Sequence, residues 1–112
     1  MEMQVEDLTD GVTMVTLCGR LDMTGAGVID LKFSAVAGSK RSIVVDMSAV
    51  EFLASLGIRV LVMGAKAVRN KGGRLVLLSP QDDVKLVLTT AGIDEIIPIL
   101  SDRADAIAAV RN

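Results

Sequence analysis

The chain has no histidine, no tryptophan and no tyrosine, and only one cysteine, two prolines and two phenylalanines. Without histidine, the usual general base near neutral pH and the commonest metal ligand are both missing. The lone Cys18 rules out an intrachain disulfide framework and a thiolate metal site. It follows Val15 and Leu17 in a strand pattern, which predicts a small buried residue rather than a reactive thiol. No apolar run approaches the roughly 18–20 residues that cross a bilayer. The longest, around Ile58 to Met63, is short and carries Arg59. The opening MEMQVED is acidic and alternating, unlike a signal peptide. A soluble, cytoplasmic chain is expected.

Charge of one sign is also lacking. Twelve Lys and Arg against 14 Asp and Glu leave a net charge of −2. Nothing steers such a chain toward nucleic acid or an anionic membrane. The basic run Arg69 to Arg74, broken by Asn70, Gly72 and Gly73, reads as a solvated helix end rather than a ligand site. No phosphate-cradling G-x-x-x-x-G-K-[ST] occurs, since Gly64-Ala65-Lys66 lacks the first glycine and the hydroxyl. Gly25-Ala26-Gly27 is a fragment of a dinucleotide fingerprint without its strand-helix unit. Asp22 and Asp46 form a conceivable carboxylate pair, but solvated loop acids or caps are the favoured reading. No enzyme, cofactor or metal is expected.

What is present is apolar material: 51% of 112 residues, enough for the core of one domain spanning 1–112. Met3 to Asp7 alternates as an edge-like strand. Asp10-Gly11 signals a hairpin, and Val12 to Cys18 is a β-branched second strand ended by Gly19-Arg20-Leu21-Asp22. Thr24 is placed to cap a helix that stops at Gly38. Ile43-Val44-Val45 is a strand covered on both faces; Asp46 stands where it runs out, and Met47 to Ala54 is a connection. A helix from Ser55 to Asn70 follows, then a strand Arg74 to Leu78. Ser79-Pro80-Gln81-Asp82 reads as a capping box for a helix burying Val84, Val87, Leu88 and Ala91 and ended by Gly92. Ile96 to Ile99 is a last short strand, and Ser101 caps a final helix to Val110. The order is β-β-α-β-α-β-α-β-α. It predicts a mostly parallel sheet of about five strands, antiparallel only in the first hairpin, with about four helices. In such sheets ligands and partners meet the loops beyond the strands' carboxyl ends.

Winding Ser55 to Asn70 at about 100° per residue separates two faces. Leu61, Gly64, Ala65 and Val68 share one, with Ile58, Val60 and Ala67 at its margins. Ser55, Arg59, Val62, Met63, Lys66 and Asn70 share the other, where apolar residues lie between cations in the manner of a binding surface. Ser55 is an ordinary N-cap residue. The same position also suits a phosphate, because a helix N-terminus stabilises negative charge and Arg59 follows one turn on.

Gly19-Arg20-Leu21-Asp22, then Val45-Asp46-Met47-Ser48 leading to Phe52-Leu53-Ala54-Ser55-Leu56-Gly57-Ile58-Arg59-Val60-Leu61, then Gly72-Gly73 and Ser79-Pro80, together resemble the STAS domain, and more narrowly the stand-alone bacterial anti-sigma-factor antagonists. The resemblance implies a domain that binds an anti-sigma factor which is also a serine kinase, and so frees a sigma factor. The kinase phosphorylates a serine at the start of the second helix, here Ser55, and a PP2C-type phosphatase restores binding. It further implies a partner surface of Asp22, Met23, Thr24, Asp46, Leu56, Gly57, Arg59, Val62, Met63 and Lys66 on a monomer or weak dimer. Ala54 stands where the family usually has an acid, Leu56 where Ser or Thr is usual, and Arg59 where a small residue often stands. The alternative is an unphosphorylated STAS subunit of an ABC-type lipid-transport complex, or a constitutive protein-binding scaffold.

Overall fold

The computed structural model describes residues 1–111. Its elements are β1 (Glu2–Asp7), β2 (Thr13–Leu21), α1 (Met23–Ser39), β3 (Ser42–Leu53), α2 (Ser55–Asn70), β4 (Arg74–Leu78), α3 (Asp82–Thr90), a 3-10 turn (Ile93–Glu95), β5 (Ile99–Leu100) and α4 (Arg103–Val110). The five strands form one sheet in chain order, β1-β2-β3-β4-β5. Only β1 and β2 pair antiparallel; the rest are parallel. This is the expected element order and sheet.

Strand alternation divides the core in two. Val15, Leu17, Ile43, Val45, Leu75 and Leu77 point to the face covered by α1, α2 and α3. Met14, Val44, Val76 and Leu78 point to the other, where Ala106 and Val110 of α4 close a smaller cluster. The Ser42 hydroxyl donates to the Val110 carbonyl (2.7 Å), pinning the last turn of α4 to the start of β3. One short helix does not cover the whole second face. Cys18 lies on its open part and is exposed, not buried as its neighbours suggested.

The largest departure from expectation is β3. It does not end at Asp46 but runs to Leu53, and Met47 to Leu53 is strand rather than connection. Thr16 pairs with Asp46 but Cys18 with Ala49; Gly19 pairs with Val50 but Arg20 with Phe52. At each step β3 advances one residue more than β2, the signature of two β-bulges. The Asp46 carboxylate accepts from the Ser48 amide (3.0 Å) at the first of them. Buried residues in this half, Met47, Val50 and Leu53, are therefore three apart instead of two.

Helix starts were also misplaced. Asp22, not Thr24, caps α1 by accepting from the Gly25 amide, and the helix runs through Gly38 to Ser39. Ser79 does not cap α3. It sits at φ 53°, its hydroxyl donates to the Ser101 carbonyl, and the helix begins after Gln81. That shift leaves Val84 and Leu88 buried but Val87 and Ala91 exposed. Asp102 rather than Ser101 caps α4. The last strand is only Ile99–Leu100, and the Pro98 carbonyl accepts from the Leu77 amide.

Candidate partner-docking site

The carboxyl end of β2 and the long arm of β3 carry Asp22 and Ala54 to the same rim of the sheet. The Ala54 amide donates to the Leu21 carbonyl (3.0 Å), which fixes one strand exit against the other. Across this rim α2 starts. Its inward side is as read from the sequence: Leu61, Gly64, Ala65 and Val68 are buried, and so is Val60. Gly64 lies against the Phe33 ring of α1, where any Cβ would collide with it, so the two helices meet at close range.

Ser55 is the first residue of α2, not its cap; Ala54 holds the cap position and offers no side-chain acceptor. The Ser55 side chain is exposed. It lines an open depression of ≈ 460 Å³ with Met23, Ala54, Leu56 and Arg59. Leu56 and Arg59 also line a groove of ≈ 390 Å³ between α1 and α2, where Met63 faces Asp30 and Ser34. The two hollows adjoin at Leu56 and Arg59 and together make a trough beside the start of α2. Its apolar floor is exposed: Met23 is 73% and Met63 59% accessible. Among the described residues neither Arg59 nor Lys66 has an acid within ion-pair distance.

At the strand exits Arg20 stacks over the Phe52 ring, 4.4 Å from its centroid, and its Nε lies 3.6 Å from Asp22. The Gly25 amide, and secondarily the Arg20 charge, hold the Asp22 carboxyl below the ordinary carboxylate range. Phe52 is half-exposed beside this pair. Sequence reasoning missed the Arg20–Phe52 pairing because it exists only after both bulges are counted. It also missed Asp30 and Ser34, which look like any solvent residues of α1.

The expected surface thus divides. Ser55, Asp22, Met23, Thr24, Leu56, Arg59, Met63 and Lys66 lie at the surface of the rim and the two helices. Three residues do not join them as expected. Gly57 is buried under Leu21, Val62 is half-buried against the core, and Asp46 sits mid-sheet at the level of Leu78, far down β3 from Ser55. No helix among the described residues is long and apolar enough to cross a membrane.

The STAS domain family model matches residues 5–106. BtrV of Bordetella bronchiseptica is 29% identical over 106 residues, 94% of this chain and 91% of BtrV. The crystal structure of an anti-sigma factor antagonist from Mycobacterium paratuberculosis is 30% identical, with a TM-score of 0.87 over 99% of this chain and 94% of that one. The phosphorylated form of SpoIIAA from Bacillus, 23% identical, shares the fold with a TM-score of 0.73 over 98% of this chain and all of its own. With the family model spanning nearly the whole chain and the architecture in agreement, the chain belongs to the STAS domain family.

Proposed function

We propose that this chain is an anti-sigma-factor antagonist that docks an anti-sigma factor/serine kinase through the trough around Ser55, and that phosphorylation of Ser55 breaks the contact. A PP2C-type phosphatase reverses it. The chain works in the cytoplasm as a monomer or weak dimer, contacts neither nucleic acid nor membrane, and is a regulator rather than an enzyme. One observation carries this reading: an accessible hydroxyl at the first position of α2, lining a largely apolar hollow beside Arg59, which has no ion-pair partner among the described residues. A phosphate there adds roughly −1.5 to −2 charges at a helix N-terminus, which the fold tolerates. Pressed into an apolar contact, the same charge opposes docking.

The test is to mix the chain with the serine-kinase anti-sigma factor of its own organism and ATP. Mass gain on Ser55 is expected, with loss of the complex, and Ser55→Asp should fail to bind while Ser55→Ala binds. Ala54 and Leu56, which depart from the family's usual residues, favour a second reading in which binding is constitutive. Equal binding by Ser55→Asp and the native chain would select it.

A further inference from the structure

On the side of the sheet away from β1, β4 is only partly paired. β5 pairs with Leu77 and Leu78 alone, so Arg74 to Val76 have a strand neighbour on the β3 side only. A cavity of ≈ 300 Å³ occupies the missing strand's place. Ala65 of α2 walls it on one face of the sheet and Ala109 of α4 on the other, with Pro98 at its far end. That volume lies at the low end of small-ligand sites.

Polar groups converge on this apolar slot. The amides of Leu77 and Ser79 donate outward, to Pro98 (2.9 Å) and Leu100 (2.8 Å). Alternate residues of a strand present their N–H groups to the same side. The Leu75 amide therefore points the same way, into the slot, and Leu75 is only 5% exposed. A buried N–H so placed calls for an acceptor. Arg69 and Arg74 also line the slot. Each spends one nitrogen on a wall: Arg69 donates to the Ile96 carbonyl (2.9 Å) and Arg74 to the Ala109 carbonyl (3.2 Å). Among the described residues neither has an ion-pair partner. A guanidinium has five N–H donors, so both keep donors to spare.

We propose that this slot binds a short aliphatic monocarboxylate. Its carboxylate accepts from the Leu75 amide and the two guanidiniums, and its alkyl chain lies against Ala65, Pro98 and Ala109. Two guanidiniums with donors to spare and an amide without a partner among the described residues select the anion, and the apolar walls select the alkyl tail. The site is separate from the Ser55 trough and does not depend on how that trough is used.

Sodium hexanoate is the probe, titrated into the full ¹⁵N-labelled chain beside hexanol and beside sodium chloride at matched ionic strength. The expected result is a saturable shift of the Leu75 amide and its neighbours with hexanoate alone. Half-saturation should fall on the order of 1 mM, the affinity open to so small a ligand. Arg69→Gln should weaken binding roughly tenfold, and Arg74→Gln likewise, as expected for the loss of a charge-assisted hydrogen bond. Because Arg74 also ties down the last turn of α4, Arg69→Gln is the deciding variant. Shifts that never saturate, that hexanol reproduces, or that persist unchanged in Arg69→Gln would overturn the proposal.

Discussion

A Cβ built on Gly57 would lie 2.6 Å from both the Cγ and the carbonyl oxygen of Leu21. The first turn of α2 thus rests directly on the end of β2, with no room for a methyl group, and this contact sets the height at which Ser55 is presented. Gly57→Ala should destabilise the chain by about 1–3 kcal/mol through overpacking against backbone. The measurement is the urea midpoint at constant slope.

The α1–α2 contact makes a second, coupled prediction. Phe33 is 1% exposed and fills the space that Gly64 leaves open. Phe33→Ala should cost about 3–5 kcal/mol. Gly64→Ala should destabilise the native chain but be nearly neutral in the Phe33→Ala background, because the ring it collides with is gone. A double-mutant cycle by denaturant unfolding should therefore give a coupling of about 1 kcal/mol or more. Strict additivity would mean that the two residues do not share that space.

Ser55→Asp should leave the fold as stable as the native chain, or raise stability by about 0.3–1 kcal/mol, because an acid in the first turn complements the helix dipole. Thermal unfolding decides this. If the variant is also unable to dock, the failure belongs to the surface and not to unfolding.

Asp22 and Asp7 both titrate below their ordinary value of 3.8 in the folded chain. The main causes are the hydrogen bond from the Gly25 amide to Asp22 and that from the Thr13 hydroxyl to Asp7. Because the folded values are depressed, the stability they contribute is complete above that value and is lost as pH falls through it toward the folded ones. Tm should therefore drop on acidification in that window. Asp22→Asn keeps a capping acceptor, so it should flatten part of the slope while costing little at neutral pH; Asp22→Ala, which loses the cap, should lower Tm at any pH above the window.

Cys18 is exposed, so a chromogenic disulfide reagent should modify it stoichiometrically without denaturant. Protection until unfolding would place the thiol under cover.

Elements whose apolar residues keep one period were legible in the sequence. Strand Arg74–Leu78 carries the continuous apolar run Leu75 to Leu78, and Ser55–Asn70 shows its inward row of Leu61, Gly64, Ala65 and Val68; both have the predicted bounds. The family and the rim around Ser55 were legible too. The far half of β3 was not, because two bulges place Met47, Val50 and Leu53 on a spacing of three that belongs to neither helix nor strand. Serines misled at three helix starts. Ser79, Ser101 and Ser55 all look like caps, yet Gln81, Asp102 and Ala54 hold those positions. Local hydrogen-bonding preference says that a turn is near, but packing decides which residue starts the helix. The exposure of Cys18 depends on how far α4 reaches across the sheet, which no local pattern records.

The two sides of α2 have no residue in common. Leu61, Gly64, Ala65 and Val68 are packed into the interior, while Leu56, Arg59, Met63 and Lys66 are exposed at the surface. A lineage can therefore rewrite the outer side without reopening the question of folding. Duplicates of such a gene can diverge in what they touch while remaining interchangeable as scaffolds.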